Sequence, residues 1–139
     1  MNNNLPYLNF EPGNESEWFA ALCGLVRFLR SPEGCPWDRE QGPVDFARYA
    51  VKETDEYIEA LQHDDHNHAR EEFGDALFVL LSSGIAAESC GIFRLEDALR
   101  YAHEKMVRRH DHVFGENKAT TAEEAVSAWA KIKAREKKS

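Results

Sequence analysis

The sequence predicts an all-α protein, and three observations lead to this prediction. Apolar residues recur at intervals of three and four over several long stretches, the spacing of one face of a helix. We find no useful run of alternating apolar and polar residues, the pattern that a half-buried strand requires. Prolines, glycines and short polar runs separate the helical stretches, so we expect a bundle of about four to five helices.

The first helix is expected to begin near Ser16, after a loose leader over residues 1–14 that is rich in Asn, Pro and Gly. Residues 15–139 are then predicted to form a single domain, as the length of the chain favours. The first apolar stripe includes Trp18 and ends before residues 31–36, which hold two prolines and a glycine. We expect a loop over residues 37–42.

The second and third helices are predicted to form an antiparallel pair. Pro43 suits the first turn of the second helix, which continues to about Gln62. The polar residues 63–67 favour a turn. Asn67 is a plausible N-cap of the third helix, and Gly91 is expected to end it.

Two further helices follow. The apolar spacing predicts a helix over about Leu95 to His110. Thr121 and Glu124 are three apart, as in a capping box, and mark the start of the last helix. That helix includes Trp129 and continues into a basic tail.

The composition narrows the class of function and the compartment. The 139 residues include 25 acidic and 17 basic side chains, so the net charge of −8 disfavours direct nucleic-acid binding through a basic surface. The three cysteines form no zinc pattern, and reduced thiols in a cytosolic protein are the expectation. We find neither a signal peptide nor an apolar run of about 20 residues, so we predict a cytoplasmic protein without membrane contact.

The most informative feature is a set of four acidic residues in two equally spaced pairs. Each pair places both carboxylates on one helix face, one turn apart: Glu53 with Glu56, and Glu72 with Asp75. A fold-back near Asp64 sets Glu53 opposite Asp75 and Glu56 opposite Glu72. Four carboxylates at one level repel each other unless a cation lies among them. Ligation by oxygen alone favours a hard divalent ion such as Mg²⁺.

The alternative interpretation is a solvated acidic helix face, which is the commoner outcome for runs of charge. Two observations favour the metal site instead. Stacked like charges would each cost a few tenths of a kcal/mol without a cation. Asp75 also lies within an apolar run over residues 73–78, so we expect its carboxylate to be shielded from solvent.

A basic cluster follows on a later helix, with Lys105, Arg108 and Arg109 on one face. Such a face either pairs with carboxylates or binds phosphate, since the arginine fork matches phosphate oxygens and lysine supplies a point charge. A cluster at a helix C-terminus is also favoured by the helix dipole, without any ligand.

Two tryptophans are candidate ligand contacts. Trp129 and Lys133 are four apart and could offer an aromatic face for a base and a charge for a phosphate, although a core tryptophan is commoner. Trp37 lies between proline-restricted turns, where a rigid aromatic either covers the core or contacts a ligand.

With these residues assembled, the chain resembles the MazG family of nucleoside triphosphate pyrophosphohydrolases, within the all-α NTP pyrophosphatase superfamily. The resemblance covers about residues 18–136. It rests on motifs that occur in the family's order: Gly34-Cys35-Pro36-Trp37-Asp38, Glu40-Gln41, Glu53-x-x-Glu56, Glu72-x-x-Asp75, Glu104-Lys105, Arg108-Arg109-His110, His112-Val113-Phe114-Gly115, and Trp129 to Lys133.

The resemblance implies Mg²⁺-dependent hydrolysis of NTPs or dNTPs to nucleoside monophosphate and pyrophosphate, in housecleaning of the nucleotide pool, with Mn²⁺ as a possible substitute. It assigns the metal and catalytic role to Glu53, Glu56, Glu72 and Asp75. It assigns phosphate and nucleotide contacts to Lys105, Arg109 and Trp129, and more weakly to Arg108, Arg70 and Lys133. It also implies homodimers or higher homo-oligomers, in which neighbouring subunits complete the site.

Three positions depart from the family pattern. Lys52 replaces the acidic residue that usually precedes the first pair, Gly42 replaces a threonine, and Asp111 replaces a proline. Two alternatives therefore stay open. One is a narrow pyrophosphatase for dUTP, dCTP or a similar nucleotide. The other is a regulatory helical module that binds nucleotide with weakened catalysis. The replacement of an acidic residue by Lys52 is the observation that suggests it.

Overall fold

The structure is a computed structural model that describes residues 11–138, and all regular secondary structure within that range is helical. Five helices are long, so the predicted all-α class and helix number are confirmed. The first ten residues of the predicted leader and Ser139 lie outside the described range. The helices are α1 (Glu15–Leu29), α2 (Pro36–Glu40), α3 (Pro43–Gln62), α4 (His66–Ser89), α5 (Leu95–Arg109), α6 (Asp111–Phe114) and α7 (Ala122–Lys137).

Packing divides the chain into two compact units, one ending at Arg94 and one beginning at Leu95. The single domain over residues 15–139 stays a prediction. In the first unit, α3 and α4 pack along each other and α1 packs on α4. The best-buried apolar side chains there are Phe46, Val26, Ile85 and Ala86. No helix within the described range is both long and apolar enough to cross a bilayer.

The turn between α3 and α4 confirms the predicted fold-back. Asp64 takes the left-handed conformation, with φ of 53°, and the amides of Asp64 and Asp65 donate to the carbonyls of Leu61 and Ala60. This pattern is a Schellman motif with aspartate where glycine is usual. The Asp65 carboxylate then accepts from the His68 amide and caps α4. The observed N-cap, Asp65, therefore lies two residues before the predicted N-cap, Asn67.

The connection from α1 to α3 differs from the predicted loop, because residues 36–40 form the short helix α2. The Arg30 guanidinium donates to the carbonyls of Asp38 and Gln41, which fixes this segment. A side chain at Gly34 would overlap the carbonyl oxygens of Phe28 and Leu29, so the close approach requires glycine. Trp37 is therefore held on a short helix.

The second unit contains α5, α6 and α7, each in contact with the other two. The predicted cap of the last helix is confirmed, since the Thr121 hydroxyl accepts from the Glu124 amide. The Glu124 carboxylate turns back to the amide and hydroxyl of Thr120, one residue before the cap. The Glu124 amide in this first turn and the Thr120 amide before it are thus satisfied locally.

Candidate metal centre

Three of the four predicted carboxylates meet between α3 and α4. One oxygen from each of Glu53, Glu56 and Glu72 lies within 4.8 Å of the other two. Glu53 and Glu56 are half-buried on successive turns of α3, and Glu72 reaches them from α4. The hairpin turn and the i, i+3 spacing together produce this convergence.

Glu72 is the buried member of the cluster, with only 6% of its surface exposed. Its Oε1 atom accepts a hydrogen bond from Nε2 of His68 at 2.9 Å. Its Oε2 atom is buried, and no donor among the described residues is hydrogen-bonded to it. A buried carboxylate oxygen without a partner is costly, so this atom calls for a cation or a proton.

The electrostatics of the cluster show how closely the carboxylates approach. A shared hydrogen bond with Glu72, aided by burial and by Glu56, raises the pKa of Glu53 to about 7. The same contact with Glu53, together with His68, lowers the pKa of Glu72. The pKa of His68 is raised, chiefly by its hydrogen bond to Glu72. The close approach of the three carboxylates thus favours a proton on Glu53 when no cation lies among them.

These residues fit a hard divalent ion. Oxygens that share one Mg²⁺ at about 2.1 Å lie at most about 4.2 Å apart. One oxygen from each of Glu53, Glu56 and Glu72 lies within 4.8 Å of the other two, so small side-chain movements would let the three share one ion. The donor set is oxygen only, and a bound ion would satisfy Oε2 of Glu72.

Asp75 lies in a second acidic group. Its carboxylate is within 4.8 Å of Glu71 and Glu72, and Glu72 belongs to both groups. The expectation that Asp75 is shielded was wrong, because Asp75 is exposed and so is its neighbour Phe73. Asp75 lies one turn beyond the buried Glu72 on α4 and is itself exposed. The role of Asp75 as a metal ligand stays a prediction.

The basic cluster of the second unit is paired in this structure. Arg108 and Arg109 both donate to the carboxylate of Glu136, each at 2.8 Å. These two arginines lower the pKa of Glu136 to about 2. The Lys105 ammonium lies 5.9 Å from the centre of the Tyr101 ring. The pairing predicted as one alternative is found, and the phosphate contacts stay predictions.

Trp129 forms part of an aromatic wall in the same unit. The His110 ring meets it edge-on at 5.1 Å between centroids, and the Arg109 guanidinium lies 5.5 Å from the indole centre. A cavity of about 330 Å³ is bordered by Trp129, His110, His112 and Val126. Such an apolar wall beside a guanidinium is suited to stacking a flat heterocycle. Lys133 is exposed on α7.

The remaining substrate candidates lie in the first unit. Trp37 is half-exposed and packs its ring against Phe46 and Tyr49, with centroids 6.1 and 5.9 Å away. Arg70 is exposed on α4, two residues before Glu72. Their contacts with a nucleotide stay predictions.

Comparison with known proteins shows to which protein family the chain belongs. The family model described as "MazG nucleotide pyrophosphohydrolase domain" matches residues 41–114, more than half of the sequence. The chain belongs to the MazG family. The matched segment includes both acidic pairs and the whole hairpin that carries them.

Individual MazG relatives agree with this assignment. The chain is 38% identical over 119 residues to "Nucleoside triphosphate pyrophosphohydrolase/pyrophosphatase MazG" of Thermotoga maritima, covering 86% of this chain and 45% of that one. It is 36% identical over 117 residues to "Nucleoside triphosphate pyrophosphohydrolase" of Escherichia coli K12, covering 84% and 44%. The chain thus spans less than half the length of these relatives.

A solved structure supports the MazG fold. The crystal structure of a mazG-related protein from Thermotoga maritima superposes with a TM-score of 0.68 at 29% identity. The superposition covers 79% of this chain and 96% of the other.

Three side chains near the candidate residues were missed by the sequence analysis: Glu71, His68 and Glu136. Glu71 is a third acid in the Glu72–Asp75 turn. His68 lies four residues before Glu72, a spacing that would have indicated the contact. Glu136 has no local signal, because its partners are 27 and 28 residues earlier.

Proposed function

We propose that this MazG chain hydrolyses nucleoside triphosphates to nucleoside monophosphate and pyrophosphate, using Mg²⁺ held by Glu53, Glu56 and Glu72. The observation that carries the proposal is the buried, unpartnered Oε2 of Glu72 within a cluster of three carboxylates. The names of the relatives support the choice of reaction. Mn²⁺ is the expected substitute, and housecleaning of cytoplasmic nucleotide pools is the proposed role.

Each candidate residue has a proposed role in the hydrolysis. Bound Mg²⁺ would neutralise charge on the triphosphate and make an attacking water more acidic. One of the two half-buried ligands, Glu53 or Glu56, is also the proposed acceptor of the proton from that water. Lys105 and Arg109 are proposed to balance charge on the departing pyrophosphate, with Arg108, Arg70 and Lys133 as further phosphate contacts. Trp129 and Trp37 are the proposed contacts for the base.

A pyrophosphate-release assay tests the function directly. We expect turnover of several NTPs and dNTPs with Mg²⁺, and loss of turnover with excess chelator. Release confined to one nucleotide such as dUTP or dCTP would replace this proposal with the narrow pyrophosphatase.

The same assay distinguishes an active pyrophosphohydrolase from the regulatory module. Lys52 is exposed beside Glu53 on α3, and its charge reduces the negative field of the cluster. If it has removed catalysis, nucleotide and Mg²⁺ would bind without any pyrophosphate release.

We further propose that the chain forms homodimers or higher assemblies. Large apolar side chains are exposed on α1 and α4, with Trp18, Phe73 and Leu80 exposed by 60, 54 and 57%. Trp18 belongs to the apolar stripe of α1, and it borders a groove of about 580 Å³ that also includes Phe73 and Leu77. Exposed patches of this kind mark interaction sites. Sedimentation equilibrium should give at least twice the 15.9 kDa of one chain, and a monomer at all concentrations would contradict this.

A further inference from the structure

His68 lies directly behind the buried acid of the candidate metal centre. Its Nε2 atom is 2.9 Å from Oε1 of Glu72. Glu72 follows His68 by four residues, about one turn of α4. The two side chains differ in exposure, since half of the His68 side chain is accessible and only 8% of that of Glu72 is. The imidazole thus reaches inward from the surface to one oxygen of the acid.

The ionisation of Glu72 determines which atom donates this hydrogen bond. An ionised carboxylate only accepts hydrogen bonds, so Nε2 of His68 must carry the proton and donate to Oε1. The bond leaves Oε2 of Glu72 as the buried oxygen without a donor among residues 11–138. His68 therefore binds one oxygen of the Glu72 carboxylate and restricts rotation of the carboxylate group, which limits where the other oxygen can lie.

His68 is itself held by the N-cap of α4. The Asp65 carboxylate accepts from the backbone amide of His68 at 3.2 Å, and its other oxygen lies 3.9 Å from Nδ1 of the ring. Asp65 also ends the Schellman turn after α3, because its backbone amide donates a hydrogen bond to the Ala60 carbonyl. A connected series of polar contacts therefore leads from the hairpin turn to the buried acid.

We propose that His68 is a positioning residue that orients Glu72 toward a divalent cation. The inference rests on the proposed metal site and adds a residue that acts through Glu72 without contacting the ion. Partners that orient ligands in this way typically contribute a factor of about 10–100 to metal affinity. The His68 ring borders a cavity of about 460 Å³ lined also by Glu56, Glu59 and His63, so replacing the ring leaves no void in the core.

The experiment measures Mn²⁺ affinity of the full chain by calorimetry and by the electron paramagnetic resonance of free Mn²⁺. We compare H68A, H68Q and H68N, with H66A as a control in the same exposed turn. The amide nitrogen of glutamine reaches about as far as Nε2, whereas that of asparagine reaches only as far as Nδ1. We expect affinity to fall about 10–100-fold in H68A and H68N, and to stay within about threefold of wild type in H68Q and H66A.

The outcomes separate the inference from the function on which it rests. Failure of the wild-type chain to bind Mn²⁺ would overturn the metal site and the inference with it. Wild-type affinity in both H68A and H68N would overturn the role of His68 alone, as would equal weakening in H68Q and H68N. Circular dichroism of each variant checks that α4 stays folded, and the H68Q–H68N difference decides the question if H68A unfolds.

A spectroscopic signature gives an independent readout. Long-range ¹H–¹⁵N spectra should show a proton on Nε2 of His68, both without metal and with the diamagnetic ion Mg²⁺. A neutral ring protonated only on Nδ1 would overturn the inference, because Nε2 could then not donate to Glu72.

Discussion

Replacement of Glu72 with glutamine should reduce Mg²⁺-dependent pyrophosphate release by about 1,000-fold, because the ion that stabilises the transition state loses its central ligand. Glu72 is the residue shared by both acidic groups and the only buried acid of the two groups. Glutamine keeps the shape of the side chain and its contact with His68. The loss would therefore come from charge and ligation, with the packing of the hairpin preserved.

The measurement is kcat and KM for one triphosphate over a range of Mg²⁺ concentrations, with Mn²⁺ binding as a second readout. Asp55→Asn is the matched control, since Asp55 is an exposed acid on α3 between Glu53 and Glu56 and belongs to neither group. Asp75→Asn is expected to lose activity as well, because Asp75 lies beside Glu72. Full activity in Glu72→Gln, or an equal loss in Asp55→Asn, would remove the metal hypothesis.

The hairpin was predictable because its determinants are local. Pro43 begins α3, the residues around Asp64 turn the chain, and Gly91 takes the left-handed conformation, with φ of 73°, where α4 ends. Helical spacing then dictates that Glu53 and Glu56 share a face. These steps require only the sequence and the geometry of a helix.

The remainder of the site depends on contacts that sequence spacing does not encode. The α2 helix at Trp37 depends on Arg30, whose guanidinium binds two carbonyls from eight and eleven residues away. The exposure of Asp75 depends on which faces of α4 other helices cover. The pairing of Arg109 with Glu136 depends on how α5 and α7 pack. Each outcome is set by tertiary packing, which overrides local pattern.

The affinity for Mg²⁺ should rise about 100-fold between pH 5 and pH 8, because the ion must displace the proton held between Glu53 and Glu72. The pKa of Glu53 is raised to about 7, so this carboxylate is protonated at pH 5 and ionised at pH 8. The pKa of Glu72 is lowered, so Glu72 is already ionised throughout that window. Calorimetry in buffers of different ionisation enthalpy should show release of about 0.9 proton at pH 6 and about 0.1 at pH 8.

The same proton determines whether the free energy of unfolding of the metal-free chain rises or falls with pH. The folded state binds more protons than the unfolded state between the ordinary pKa of Glu53, 4.5, and about 7, so the free energy of unfolding should fall as pH rises through that window. The lowered pKa of Glu72 acts in the opposite sense and only below 4.5, so the two effects separate. Glu53→Gln should remove the fall in stability below pH 6.5 and flatten the pH dependence of Mg²⁺ binding, whereas the raised pKa of His68 leaves a fall above that pH. If the variant follows the wild-type profile, the proton does not lie between these carboxylates and another group sets the pH dependence.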